Sequence, residues 1–340
     1  MKNPSSEVDK AQKRLWNIYH PEIPDFISDA ANTAAMQRLT DVGMNCGCEY
    51  TSFPLFSNIA PYSRFDHSLG VALIVWHFTQ DRAQALAGLL HDVATPVFAH
   101  VIDFLQGDHM TQESTESETE TIIRGSADLC QILRKNDIST DAVIDYHRYP
   151  IADNDAPKLA ADRLEYTLGN ALNYAILTYD QIREIYNDLT ITNNESGEPE
   201  LTFRTPKIAF AFSQAALECS KIYVSKTDRF AMEALALLLK ECIKNGILTK
   251  KDLHTQEQHV IRKILDSNLS NQWSRFIEYK RILYRDTPGS NGMWLQVHAK
   301  KRYIDPKIQG VGRVSSTFNS YHNDLLAFLT KEQNEWLSAE

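Results

Sequence analysis

Two apolar stretches joined only by Thr79-Gln80-Asp81 constrain this chain more than anything else in it. Ser68 to Phe78 and Arg82 to Val93 carry apolar residues at helical spacing, and Pro96 interrupts the second. So short a link makes the two helices antiparallel neighbours. At about 1.5 Å of rise per residue, the start of the first lies beside the end of the second. Both of those ends carry chemistry. "SRFDHSLGV" places Arg64, Asp66 and His67 at the first, and "LLHDVATP" places His91 and Asp92 at the second. An ionised aspartate inside an apolar helix is costly without a partner, which can be an arginine, helix-end amides or a metal ion.

A further carboxylate, Asp162, enters a mixed apolar helix in "APKLAADRLEY". Two imidazoles and two carboxylates form a mixed nitrogen–oxygen donor set. It suits manganese, iron, nickel, cobalt or zinc better than calcium. For Asp66 the reading is a capping carboxylate, or one that supports a neighbouring ligand.

The 340 residues include only 13 glycines and 12 prolines, so long segments lack breakers and helix should dominate. Helices are expected over Asp29–Val42, Ile122–Leu133, Ser139–Tyr146, 158–189, Lys207–Tyr223, Arg229–Asn245 and Tyr321–Trp336. Leu201-Thr202-Phe203 reads as a short strand, and "MWLQVHAKKRYIDPKI" as a strand or hairpin. The acidic stretch "GDHMTQESTESETET" reads as a solvated loop running into a helix N-terminus. The predicted fold class is mainly α. An N-terminal arm (1–20) precedes a helical domain (21–245), and a C-terminal extension (246–340) contains helices and a few short strands.

The formal net charge of −9 argues against general nucleic-acid binding, which needs a basic face. No stretch approaches the roughly 20 apolar residues of a membrane span, and the polar N-terminus is unlike a signal peptide. The five cysteines follow no framework spacing, and Cys46-Gly-Cys48 lacks a second pair, so reduced thiols are expected. These features together predict a cytoplasmic protein. His77 reads as a core histidine and His147 as a loop histidine. The basic run Lys300, Lys301, Arg302, Lys307 and Arg313 reads as a solvated strand face.

"RFDHSLGV", then "HD", then "AADRLEY", in this order, resembles the HD superfamily of metal-dependent phosphohydrolases. The likeness is greatest to the branch of deoxynucleoside triphosphate triphosphohydrolases and their uncharacterised bacterial relatives, whose early Gln-Arg-Leu helix "MQRLTDVG" also resembles. It spans roughly residues 20 to 245. The resemblance implies an HD-domain helical fold holding one divalent transition-metal ion, with magnesium a further candidate. The implied ligands are His67, His91, Asp92 and Asp162. Arg64, His100 and Arg163 would then be catalytic, and Tyr166, Lys226 and His109 would contact substrate. The implied substrate is a small phosphate ester, foremost a nucleotide, and the implied assembly a homo-oligomer. The chain departs from the family pattern at Thr95, where a histidine is usual, at Gln112-Glu113 in place of His-Glu, and at Gly169-Asn170 in place of Arg-Asp. Gln112 cannot shuttle a proton. The departures keep two other readings open: a metal-retaining protein that binds a nucleotide or a partner without turnover, and a phosphomonoesterase acting on non-nucleotides.

Overall fold

A computed structural model describes residues 15–102 and 118–340 of the chain. The chain is mainly helical, with short strands in two small sheets. The first expected helix pair is present as Arg64–Thr79 and Arg82–Leu90, packed side by side. The first helix begins four residues before the apolar run because Ser63 caps it. The Ser63 hydroxyl accepts from the Asp66 amide, and the Asp66 carboxylate accepts from the Ser63 amide at 2.9 Å, a reciprocal capping box. Gln80 then stops the helix in the left-handed region, and the Asp81 carboxylate caps the next by accepting from the Ala83 and Gln84 amides. The local chemistry of this tight corner is what brings His67 back beside His91.

Two apolar cores result. The first gathers the helices Asp25–Ala31, Arg64–Thr79, Arg82–Leu90, Ala161–Asn173, Pro206–Tyr223 and Asn319–Thr330 around fully buried residues such as Leu73, Leu89, Leu164 and Phe212. Each such side chain contributes roughly 1.5–3 kcal/mol by leaving water. The second packs the helices Lys226–Lys244, Glu257–Leu265 and Ser270–Glu278 against Cys46, Cys48, Phe53 and the turn Val97–Ile102.

Leu189–Asn193 and Pro199–Phe203 form an antiparallel hairpin. Pro199–Phe203 is joined in parallel by Lys307–Ile308, and Gly312–Arg313 pairs antiparallel to Lys307–Ile308. The other sheet places Trp336–Ala339 between Ile282–Arg285 and Leu295–Gln296. Several sequence expectations are refined. The helix expected over Asp29–Val42 is broken at Asn32-Thr33 into Asp25–Ala31, Ala34–Gln37 and a 3-10 turn, because Thr33 adopts an extended backbone. The last helix ends at Thr330, and Trp336 belongs to a strand, held by pairing to Arg285 and Gln296. Residues 298–306 carry no regular structure, although their alternation of apolar and polar side chains reads as a strand. They are fixed instead by side-chain bonds such as that from the Tyr321 hydroxyl to the Ile304 carbonyl, 2.6 Å.

Candidate metal centre

The three sequence motifs converge. His67 comes from the first turn of Arg64–Thr79, His91 from the C-cap of Arg82–Leu90, and Asp162 from the first turn of Ala161–Asn173. His67 Nε2 lies 3.2 Å from His91 Nε2 and 3.0 Å from Asp162 Oδ1, and His91 Nε2 lies 3.5 Å from that oxygen. These donors all fall within 4.8 Å of one another, close enough to share a single cation. Asp92 stands at the edge of this group, with Oδ2 3.6 Å from His91 Nε2 and 3.9 Å from His67 Nε2.

The outward-facing ring nitrogens decide how the imidazoles present themselves. His67 Nδ1 is 2.6 Å from Glu165 Oε2, and His91 Nδ1 is 2.7 Å from the Gly88 carbonyl. Both partners are acceptors, so each Nδ1 carries the proton and each Nε2 turns a lone pair towards the shared point. Two lone pairs 3.2 Å apart repel unless a cation or a proton lies between them. A carboxylate and a carbonyl behind ligating histidines are also what metal sites use to fix tautomer and orientation. The donor set therefore fits a divalent metal.

Electrostatics agree with that fit. Burial penalises a charged imidazole, but hydrogen bonds to Asp162 and Glu165 outweigh it and push His67 up to about 10. His91 moves in the same direction, against its own burial, under the charge of Asp92 and a bond to Asp162. Burial works against the charge on Asp162, yet the two imidazoles hold its carboxyl well below the usual range. The carboxylates thus favour positive charge at this point. Metal binding at such a set releases protons.

Arg64 is 8% exposed and donates from one terminal nitrogen to Asp92 Oδ2 at 2.9 Å. The other Asp92 oxygen accepts from the Thr95 hydroxyl at 2.9 Å. Burial of Asp92 is offset first by Arg64 and then by His91 and His67, so its carboxyl also stays below the usual range. The turn after Asp92 is pinned by Arg38, whose guanidinium donates to the carbonyls of Val93 (2.9 Å) and Thr95 (2.8 Å).

The remaining expected site residues are placed as follows. Arg163 sits beside Asp162 but spends all three nitrogens on the preceding loop. It donates to the Lys158 carbonyl (2.7 Å) and to both oxygens of Asn154, and forms an ion pair with Asp153 (3.0 Å). Tyr166 is half-buried on the same helix, and its hydroxyl is pushed up to about 12, chiefly by burial. His100 is half-buried at the end of a turn in which Phe98 and Ala99 have φ of 59° and 44°. Lys226 points its ammonium over the Tyr284 ring, 4.0 Å from the centroid, and lies 3.7 Å from Glu335. His109 and Gln112 lie outside the described residues.

Sequence reasoning missed Glu165, which is wholly buried between His67, the Tyr62 hydroxyl and, at 3.5 Å, the Tyr19 hydroxyl. The signal was present, since Asp162 and Glu165 stand one helical turn apart and share a face. Two of the departures from the family pattern also acquire physical roles. Thr95 orients Asp92. Gly169 makes room for Tyr62, because a Cβ there would stand 2.5 Å from the tyrosine oxygen. Asn170 donates to the Tyr223 hydroxyl at 2.8 Å.

With this geometry in view, similarity to known proteins is informative. Residues 64–168 match the HD domain family. The chain is 24% identical over 253 residues to the uncharacterized protein YdhJ of Bacillus subtilis, covering 72% of this chain and 74% of that one. It is likewise 24% identical over 260 residues to the metal-dependent phosphohydrolase cns2 of Cordyceps militaris, covering 74% and 73%. No helix among the described residues is long and apolar enough to cross a membrane. Residues 64–168 are thus similar to the HD domain, and His67, His91 and Asp162, which converge in the structure, all lie within that matched stretch.

Proposed function

We propose that this chain is a metal-dependent hydrolase of small phosphate esters, with nucleotides as the leading substrate class. One observation carries the reading: His67 Nε2, His91 Nε2 and Asp162 Oδ1 face a common point, with the two Nδ1 atoms held behind them by Glu165 and the Gly88 carbonyl. Asp92 would complete the ligand set. When bound, a divalent ion supplies Lewis acidity towards a phosphoryl oxygen and towards water.

The protein's own groups divide the remaining work. Arg64, held by Asp92, sets a fixed cation at the rim of the donor set, where it would balance phosphoryl charge. Thr95 and Glu165 hold Asp92 and His67 in orientation. His100 is the candidate proton donor to the leaving oxygen, and Tyr166 a candidate phosphate contact.

The test is a panel of nucleotides and non-nucleotide phosphomonoesters, assayed with Mn, Ni, Co or Mg, on the native chain and on Asp92→Ala. Turnover that Asp92→Ala abolishes supports the proposal. A second reading, a metal-retaining protein that binds a nucleotide without hydrolysing it, is favoured by one observation: Arg163 is bound to Asp153, Asn154 and Lys158 rather than open to a phosphate. Nucleotide binding without turnover under every metal would favour that reading over the first.

A further inference from the structure

The helix that delivers Asp162 starts without a cap of its own. Ala160 stands at the N-cap and offers no side-chain acceptor to the first turn. The Ala161 and Asp162 amides donate instead to the carbonyls of Ile151 (2.8 Å) and Ala152 (3.1 Å), so Asp162 is only as well placed as the loop before it. Arg163 ties that loop to itself through Lys158, Asn154 and Asp153. A second tie comes from outside. The Leu159 amide donates at 3.1 Å to Glu200 Oε1 on the strand Pro199–Phe203, and the Leu159 carbonyl accepts from Asn154 Nδ2 at 3.2 Å. Only Ala160 and Ala161 separate Leu159 from Asp162.

Glu200 has no exposure, and a carboxylate taken out of water needs a compensating cation. Arg313 supplies it. Its Nη1 donates to Glu200 Oε1 and its Nη2 to Oε2 at 2.8 Å, a two-pronged pair that fixes how the carboxylate is turned. The guanidinium is itself aimed from both sides, since Nε donates to Glu195 at 3.1 Å and Nη1 to the Asp305 carbonyl at 3.1 Å. The Asp305 amide donates to the Pro157 carbonyl at 2.9 Å, and the Asp305 carboxylate accepts from the Ser315 amide (2.9 Å) and hydroxyl (2.6 Å). The C-terminal segment thus meets the loop directly at Pro157 and, through Glu200, at Leu159. Arg313 belongs to the basic run that reads in the sequence as a solvated face, and it lies far outside residues 64–168.

We propose that Arg313 is a positioning residue for the metal ligand Asp162, acting through the Glu200 carboxylate and the Leu159 amide. This rests on the metal-centre reading above and extends that centre to the C-terminal segment. Without the guanidinium, the Glu200 carboxylate is buried uncompensated and turns away, the Leu159 amide loses its acceptor, and the start of the Ala161–Asn173 helix shifts. A ligand atom has to be held to within about 0.5 Å, so a small shift is enough to weaken the site.

The test uses the full-length chain with cobalt(II) as the probe, its binding read from the visible absorption of the bound ion, together with amide hydrogen exchange over residues 155–163. Arg313→Met should weaken cobalt binding about tenfold, alter the absorption spectrum and raise exchange at Leu159, Ala161 and Asp162. Arg313→Met combined with Glu200→Gln should recover most of both, because the glutamine oxygen still accepts from Leu159 and no buried charge is left unpaired. Arg229→Met removes another buried arginine, paired with Glu335 at 2.7 Å, and controls for lost stability. It should keep native cobalt affinity and spectrum. Native affinity and spectrum in Arg313→Met overturn the proposal, as does an equal loss in Arg229→Met or a double variant no better than the single one. Failure of the metal-centre reading is distinguishable. If the native chain binds no cobalt, that reading falls and exchange alone decides: lost protection that the double variant restores upholds the placement of Asp162 by Arg313, and unchanged protection overturns it.

Discussion

Glu165 Oε2 lies 2.6 Å from His67 Nδ1, and that contact sets which face of the imidazole is left to bind a cation. Glu165 has no exposure, and burial pushes its carboxyl up while His67 and Tyr62 pull it down. Replacing it with glutamine keeps the volume and removes the charge. Glu165→Gln is expected to lower metal affinity about 10- to 100-fold while the chain still folds. Metal titration followed by calorimetry checks this.

Gly169 bears on the same contact. A methyl group there would meet the Tyr62 oxygen at 2.5 Å, and one at Gly70 would meet Glu165 at 2.6 Å. Both neighbours are buried and bonded to each other, so neither can move cheaply. Gly169→Ala should destabilise the chain by about 1–3 kcal/mol and weaken metal binding along with it. Urea unfolding and the same metal titration are the readouts, and Tyr62→Phe separates the bond from the space.

Thr95 offers a milder lesion. Its hydroxyl donates to Asp92 Oδ1 at 2.9 Å. Thr95→Val preserves shape and takes this donor from a largely buried carboxylate, which costs about 1–3 kcal/mol. Thr95→Ser should restore the loss. Unfolding midpoints of the three proteins, with metal and with chelator, give the comparison.

A pH dependence follows from Glu49. Its carboxyl is buried, has one oxygen without a hydrogen-bond partner among the described residues, and stands beside Glu257. Burial first, and Glu257 second, push it up from 4.5 to about 8. The folded chain therefore keeps a proton that the unfolded chain releases above about 4.5, so stability from this group is full below that pH and is lost as pH rises towards 8. Glu49→Gln should remove this slope, gaining on the native chain by on the order of 2–4 kcal/mol between pH 5 and pH 8.5. Urea midpoints at the two pH values measure it.

How much of this was legible in the letters depends on range. The corner between Arg64–Thr79 and Arg82–Leu90 was readable because a short link, a capping serine and an unbroken apolar run all act locally. His67 and His91 could be paired on that basis alone, and Asp162 joined them as a carboxylate entering a mixed apolar helix, its role as a ligand being what the resemblance implies. Arg163 could not be read as engaged, because its partners, the Lys158 carbonyl and Asn154, are backbone and loop groups whose direction no spacing reveals. Lys226 likewise turns to Tyr284 and Glu335, residues remote in sequence. Glu165 was readable in principle from its helical phase, but its purpose required seeing Tyr62 arrive through the gap at Gly169.

A cation at the meeting point of His67, His91 and Asp162 is the claim on which the rest depends. Elemental analysis of the purified chain after exposure to Mn, Fe, Co, Ni and Zn, set against His91→Ala and Asp162→Ala, measures this directly. About one bound divalent ion per native chain is expected, and almost none in either variant. Equal metal content in all three proteins, or none in the native chain under any of these metals, would contradict it.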